Sequence, residues 1–198
     1  MTKNILIGGA PGTGKTTIAR QLADQLHIAW ISTDQIREIV RAATNKELSP
    51  ELFAETNGKN PEQTLQLEIK RAESIWPGIV ALLNHHYPWD GCIIEGIAIL
   101  PHLVARDFKD NVNISALFLI QDDMAVIKKI VYERSLQPWI KTKTPEQQAG
   151  RVEQVLLWNK YLQLESKKYN YPCINLLSPE ENVSKILDAV HLNQAAHS

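Results

Sequence analysis

The chain has 198 residues, a formal net charge of −1 and 44% hydrophobic residues, a composition typical of one globular domain. The balanced charge offers no bulk attraction to nucleic acid or to an anionic membrane. Every apolar run is shorter than the roughly 20 residues of a membrane span, and the first run, residues 4–9, is too short for a signal peptide. We therefore expect a cytoplasmic protein.

Short apolar runs alternate with helical patterns along the whole chain. The predicted strands are, in chain order, residues 4–8, 28–31, 91–95, 114–120 and 172–176. The predicted helices are residues 15–26, 34–41, 62–87, 122–135, 146–169 and 180–190. Pro77 and Gly78 are expected to kink or split the third helix. Residues 44–61 are polar and contain breakers, so they are predicted to be a loop that can hold a helical turn.

This alternation predicts an α/β domain with a parallel sheet covered by helices on both faces. Ligands bind such sheets at the carboxyl ends of the strands, and each polar motif described below follows a predicted strand. The two cysteines, Cys92 and Cys173, lie within apolar strand-like runs. We expect buried thiols rather than a disulfide or redox pair.

A glycine-rich loop follows the first strand and precedes the first helix. Its sequence, Gly-Ala-Pro-Gly-Thr-Gly-Lys-Thr at residues 9–16, fits the phosphate-loop pattern at every fixed position. In such a loop the backbone N–H groups and the helix dipole bind phosphates. Lys15 is expected between the β- and γ-phosphates of ATP, and Thr16 as a ligand of Mg²⁺. The predicted nucleotide-binding residues are Gly9, Ala10, Pro11, Gly12, Thr13, Gly14, Lys15, Thr16 and Thr17.

A phosphate loop alone does not choose among kinases, GTPases, motors and other ATPases. The chain is short for a motor protein, and it lacks the Asn-Lys-x-Asp motif that reads guanine in common GTPases. A small-molecule kinase is the simplest interpretation.

The second strand ends at another polar motif, which contains Asp34, Arg37 and Arg41. A carboxylate at this position can orient an acceptor hydroxyl and take its proton. The two arginines are four residues apart and share one helix face, where they can bind an acidic substrate. The alternative is that Thr33 or Asp34 only caps the helix and that the arginines are solvated.

The runs ISTDQIREIVR, residues 31–41, and IIEGIAILP, residues 93–101, give the chain a family resemblance. The chain resembles 2-phosphoglycerate kinases, which are related in fold to nucleoside monophosphate kinases. The resemblance implies a three-layer α/β/α domain whose five-stranded parallel sheet has the order 2-3-1-4-5. It also implies transfer of phosphate from ATP, with Mg²⁺, to 2-phosphoglycerate. An acceptor-binding insertion is expected at about residues 44–70 and a lid at about residues 136–150.

Glu95 ends the third predicted strand and resembles a Walker B carboxylate that holds Mg²⁺ or its water shell. The alternative is an exposed glutamate at a strand end. Glu95 and Asp34 are both expected to face the triphosphate, and the sequence leaves open which of them is the catalytic base.

A cationic tract follows the fourth strand and its helix. Arg134 stands at its beginning, Lys141 and Lys143 lie within it, and Arg151 follows at the next helix. Kinases of the implied fold have a lid here that closes over the phosphates and excludes water. Arg134 is predicted to be catalytic and Arg151 to be a second lid residue; the alternative is an ordinary solvated connector.

Three questions stay open at this point. Another acceptor, such as a sugar, a nucleotide, an antibiotic, a shikimate-like acid or a cell-wall precursor, is compatible with the same motifs. So is a nucleotide-binding switch that transfers phosphate to no acceptor. Whether the chain is a monomer or a homodimer is not encoded in any of these patterns.

Overall fold

A computed structural model describes residues 4–85, 91–134, 145–176 and 185–187 of the chain. The strands are β1 Asn4–Gly9, β2 Ala29–Ser32, β3 Cys92–Gly96, β4 Ile114–Ile120 and β5 Cys173–Asn175. The helices are α1 Lys15–Leu26, α2 Thr33–Ala43, α3 Pro50–Phe53, α4 Pro61–Asn84, α5 Pro101–Phe108, α6 Met124–Arg134 and α7 Pro145–Tyr169. Residues 185–187 are helical, and the rest of the helix predicted at 180–190 lies outside the described residues.

The strands form one sheet in the order β2-β3-β1-β4-β5, and every pair in it is parallel. The predicted fold class and strand order are therefore confirmed. β1 lies in the middle, and β3 and β2 follow on one side. In the pairing of β2 with β3, Ser32 stands opposite Glu95. Because parallel strands end at the same edge of a sheet, this register brings the motifs after β1, β2 and β3 to one place.

Apolar residues of the sheet face two separate cores, because successive side chains of a strand point to opposite faces. Leu6, Ile94 and Phe118 pack into the larger core, which contains buried residues of α4, α5 and α7. Ile5 and Leu117 pack into the smaller core with the buried face of α1. The chain is thus a three-layer domain in which the strands are covered on both faces.

Helix α4 is one continuous helix, so Pro77 and Gly78 do not split it, and the alternative of a kink stays a prediction. Proline removes one intrahelical hydrogen bond, because it has no N–H to donate to the carbonyl four residues earlier. That carbonyl belongs to Glu73, which is exposed, as is Pro77 itself, so water can satisfy it. The opposite face carries Trp76 and Ile79, both fully buried in the larger core. Tertiary packing therefore outweighs the local cost of the proline.

Two short helices differ from the sequence-based expectation in different ways. The helical turn allowed within residues 44–61 is present as α3. Helix α5 was not predicted. It has only eight residues and begins with Pro101 in its first turn, a position that favours helix initiation. Leu103, Val104 and Phe108 are buried on its inner face, so burial rather than length stabilises this helix.

Both cysteines are free thiols. Cys92 is buried at the start of β3, and its thiol contacts Asn4 Oδ1 at 3.5 Å. Burial raises the pKa of Cys92 to about 11, so it is neutral and unreactive at ordinary pH. Cys173 in β5 is half-buried. Among the described helices, none has the length and apolar content needed to cross a membrane.

Candidate active site

The phosphate loop joins β1 to α1 at the centre of the sheet. Gly14 lies at the N-cap of α1 with a left-handed backbone, φ 74°, a conformation that favours glycine. Thr13 Oγ1 donates to the carbonyl of Ala10 at 2.9 Å, and Lys15 Nζ donates to the same carbonyl at 2.8 Å. The lysine is buried and folded back over its own loop. Because the ammonium donates to a carbonyl of the loop, phosphate oxygens bound by the loop would compete with that carbonyl for the ammonium.

Thr16 and Glu95 lie in contact across two strand ends. Thr16 Oγ1 donates a hydrogen bond of 2.9 Å to Glu95 Oε1, and Glu95 is only 2% exposed. A hydroxyl and a carboxylate are the hard oxygen donors that suit Mg²⁺, which usually completes its shell with water and substrate phosphates. No group of three or more His, Cys, Asp or Glu side chains in the described ranges could hold a metal ion. The hydroxyl of Thr16 and the carboxylate of Glu95 suit a magnesium ion whose other ligands are water and nucleotide phosphates.

The start of α2 is held by Ser32 and Gln35. Ser32 Oγ accepts from the N–H of Asp34 at 3.3 Å, and Gln35 Oε1 accepts from the N–H of Ser32 at 3.1 Å. This capping box makes Ser32 the N-cap. The alternative that Thr33 or Asp34 caps the helix is therefore wrong. The Asp34 carboxylate does not serve as the cap and is 68% exposed.

Arg37 and Arg41 share a helix face but lie in different surroundings. Arg37 Nη1 lies 3.4 Å from Asp34 Oδ1, and its side chain is 28% exposed. Arg41 lies one turn further on, where Nη1 is 3.6 Å from Glu38 Oε2 and the guanidinium stands 5.4 Å over the Phe53 ring. The structure thus brings Arg37, but not Arg41, to the side chain of Asp34.

A cleft of about 210 Å³ opens between α2, α4 and the segment after β3. We call it the acceptor cleft. Its lining residues are Thr33, Asp34, Arg37, Glu68, Arg71, Ala72, Ile75, Ile97 and Ala98. The lining combines apolar side chains with two guanidiniums and two carboxylates, in which Arg37 pairs with Asp34 and Arg71 with Glu68. Such a set of groups can bind both a hydroxyl and an anionic group of a small ligand. The predicted insertion at residues 44–70 contributes Glu68 to this lining, and the other α4 residues of the cleft follow it.

Arg71 and Glu68 were missed by the sequence interpretation. Arg71 Nη1 lies 2.6 Å from Glu68 Oε1, Arg71 Nε donates to the carbonyl of Glu51 at 3.0 Å, and Nη2 donates to the carbonyl of Ala54. These bonds tie α3 to α4 and hold the guanidinium at the cleft. The available signal was the spacing of an acid and a base three residues apart on one helix. That spacing is common on solvated helices, so it did not single out this pair.

A second cleft of about 540 Å³ lies on the other side of the phosphate loop. It is bounded by residues 11–13 of the loop and by apolar side chains of α6 and α7, and Arg151 lines it. Arg134 ends α6, but its side chain lies outside the described residues, as do Lys141 and Lys143. Of the predicted lid, residues 145–150 form the first turns of α7, which agrees with the helix predicted from residue 146, and residues 136–144 lie outside the described residues.

Comparison with known proteins places the chain by fold. A family model described as an AAA domain matches residues 4–74, fewer than half of the 198 residues. No curated protein matches the sequence significantly.

Three solved structures that resemble the chain cover nearly all of it. A shikimate kinase from Acinetobacter baumannii, in complex with shikimate, has a TM-score of 0.61 at 15% identity and covers 98% of this chain and 96% of its own. A gluconokinase from Sinorhizobium meliloti has a TM-score of 0.56 at 12% identity, covering 98% and 92%. An uncharacterized protein from Eubacterium ventriosum has a TM-score of 0.54 at 16% identity, covering 97% and 99%. The chain has the fold of phosphate-loop kinases. At these identities the likeness concerns the fold, and the chemistry must be argued from the site.

Proposed function

We propose that the chain is a phosphotransferase that moves the γ-phosphate of ATP to a hydroxyl of a small acid. The observation that carries the proposal is the adjacency of two sites. The contact of Thr16 with Glu95 lies beside the phosphate loop, and the register pairs Glu95 with Ser32, the residue before Thr33 and Asp34 at the acceptor cleft. A triphosphate and an acceptor would therefore meet at neighbouring strand ends.

Each side chain has a defined task in this proposal. The backbone of the loop and Lys15 bind the phosphates, and Lys15 exchanges the carbonyl of Ala10 for phosphate oxygens. Thr16 and Glu95 would hold Mg²⁺, which supplies charge neutralisation on the transferred phosphate. Asp34 orients the acceptor hydroxyl and takes its proton during attack. This assignment makes Asp34 the base, because Glu95 is buried and already accepts the hydrogen bond of Thr16.

The cationic residues serve the acceptor and the lid in this proposal. Arg37 and Arg71 bind the negative group of the acceptor within the cleft, since planar guanidiniums pair well with carboxylate or phosphate. Arg41 is not among the residues that line the cleft, so it contributes only to the positive electrostatic potential around the cleft. Arg151 lines the second cleft beside the phosphate loop, and we assign it and Arg134 to the closed lid.

The acceptor that we propose first is 2-phosphoglycerate, which would give 2,3-bisphosphoglycerate. The support is the resemblance of residues 31–38 and 93–101 to 2-phosphoglycerate kinases, together with a cleft that has guanidiniums in its wall. Two of the similar solved structures are kinases named for shikimate and gluconate. Another hydroxy acid is therefore the second candidate, and it would occupy the same cleft.

The test is transfer from γ-labelled ATP, with Mg²⁺, to a panel of acceptors. The panel contains 2-phosphoglycerate, glycerate, shikimate, gluconate and nucleoside monophosphates, and labelled products are separated from free phosphate. Transfer to 2-phosphoglycerate supports the full proposal. Transfer to another acid supports the kinase activity and identifies a different acceptor. Hydrolysis that no acceptor stimulates would reject the kinase and favour a nucleotide-binding switch.

A further inference from the structure

The side chain of Thr33 is the starting point for a further assignment. Thr33 is the first residue of α2 and is 1% exposed. Its hydroxyl is buried and has no hydrogen-bond partner among the residues that the structure describes. Buried hydroxyls are nearly always hydrogen-bonded, because an unsatisfied one loses its interaction with water. The described part of the chain thus leaves this hydroxyl without a partner, which a bound molecule could supply.

Packing alone does not explain why a threonine stands at this position. Gly96 follows Glu95 at the end of β3, and a Cβ built on Gly96 would lie 1.7 Å from Thr33 Oγ1. The space that the threonine side chain fills is thus created by the absence of a side chain at residue 96. Valine has nearly the same shape as threonine and would fill that space without burying a polar atom. The hydroxyl group of Thr33 therefore has a role other than filling space, namely hydrogen bonding.

The position of Thr33 indicates where the missing partner lies. Thr33 lines the acceptor cleft together with Asp34, Arg37 and Arg71. Thr33 and Asp34 are consecutive residues in the first turn of α2, and both belong to the lining of this one cleft. Because a hydroxyl both donates and accepts, Thr33 can bond to an alcohol, a carboxylate or a phosphate ester oxygen.

We propose that Thr33 Oγ1 hydrogen-bonds with the acceptor, at the oxygen substituent next to the hydroxyl that becomes phosphorylated. This assignment rests on the proposed function and narrows its substrate class. The acceptor is a small acid with two neighbouring oxygen substituents, of which Asp34 addresses one and Thr33 the other. Thr33 is then a specificity-determining residue that selects against acceptors with a single isolated hydroxyl.

The experiment compares Thr33→Val and Thr33→Ser with the wild type on three acceptors. Glycerate and 2-phosphoglycerate carry an oxygen next to the reacting hydroxyl, whereas 3-hydroxypropionate lacks it. For the wild type we expect kcat/KM to favour the first two acceptors by roughly tenfold or more. In Thr33→Val this preference is lost, while Thr33→Ser retains it. The KM for ATP stays within about twofold in both, and Thr33→Val melts at the same or a higher temperature, because it buries no unsatisfied polar atom.

A second readout separates the failure of this assignment from the failure of the proposed function. The shift in melting temperature produced by 2-phosphoglycerate is measured without ATP, so it reports binding alone. If the wild type transfers phosphate and Thr33→Val keeps the same acceptor preference, the Thr33 assignment is overturned and the kinase stands. If there is no transfer, but a melting shift that Thr33→Val abolishes, the kinase is rejected, and Thr33 stands as a ligand contact of the cleft without a role in phosphate transfer. The absence of both transfer and shift in the wild type overturns both.

Discussion

The hydroxyl of Thr16 and the carboxylate of Glu95 meet at 2.9 Å although they are 79 residues apart in the chain. β1 and β3 are neighbours in the sheet, so the helix that begins after β1 and the end of β3 converge. Neither residue would hold Mg²⁺ by itself. Their contact links the phosphate loop to the next strand end, and the acceptor cleft lies one strand further along.

Removal of the Lys15 ammonium is expected to abolish most of the phosphate transfer. In Lys15→Ala we expect kcat/KM to fall by about 100- to 1000-fold or more, because a cation directed at the transferred phosphate is lost. The side chain interacts within its own loop, so the fold should persist and near-normal circular dichroism is expected. Lys109→Ala, at an exposed position after α5, is the matched control. Retained turnover in Lys15→Ala would contradict the proposed role of the loop.

Asp34→Asn tests the proposed base. The amide cannot take a proton, so we expect kcat to fall by roughly 100- to 10,000-fold, while the KM for ATP changes little. Because Ser32, not Asp34, caps α2, the melting temperature should stay nearly constant. Asp24→Asn, on the exposed face of α1, serves as control. A loss of stability with unchanged turnover would show that Asp34 is only structural.

Arg37→Gln and Arg41→Gln form a matched pair on one helix face. Arg37 lines the acceptor cleft, so its loss should raise the KM for the acceptor by roughly 10- to 100-fold, as expected for a charge-assisted hydrogen bond. Arg41 stands over Phe53 and should change that KM by no more than a few-fold. Initial rates at saturating ATP measure both. Equal effects of the two variants would contradict the assignment of Arg37, but not Arg41, to the acceptor cleft.

Glu95→Gln is expected to weaken the response to magnesium. Glutamine can still accept the hydrogen bond of Thr16 but carries no charge for the cation. The Mg²⁺ concentration that gives half-maximal rate should therefore rise by about 10- to 100-fold, as read from a magnesium titration at fixed ATP. Glu62→Gln, exposed at the start of α4, should leave the titration unchanged. An unaltered magnesium requirement in Glu95→Gln would remove Glu95 from the metal site.

Gly96→Ala tests the packing of the α2 start on the end of β3. The new methyl group would overlap Thr33 Oγ1, and residue 96 has a positive φ of 153°. We expect a loss of about 1–3 kcal/mol in the free energy of unfolding, together with lower turnover because Asp34 is displaced. Gly150→Ala is the opposite case, since a Cβ there meets nothing within 4 Å. In the middle of a helix it should stabilise by about 0.5–1 kcal/mol. Chemical denaturation compares the two variants.

The sequence by itself determined the alternation of strands and helices, the phosphate loop and the strand-end position of Glu95. These features are local: a hydrophobic period or a glycine spacing is visible within a few residues, whatever the rest of the chain does. The strand order 2-3-1-4-5 followed from the resemblance in residues 31–41 and 93–101, and the sheet has that order.

Only the tertiary structure decided which polar side chains share the acceptor cleft. Arg71 comes from α4 and Thr33 from α2, and their meeting depends on how two helices pack, which no local pattern encodes. The same holds for Gly96, whose missing side chain leaves room for Thr33. Pro77 shows the reverse case, where burial of the opposite face preserves a helix that local propensity would break. The contact of Thr16 with Glu95 depended on both, because each residue stood in a recognisable sequence motif and the parallel sheet brought the two motifs together.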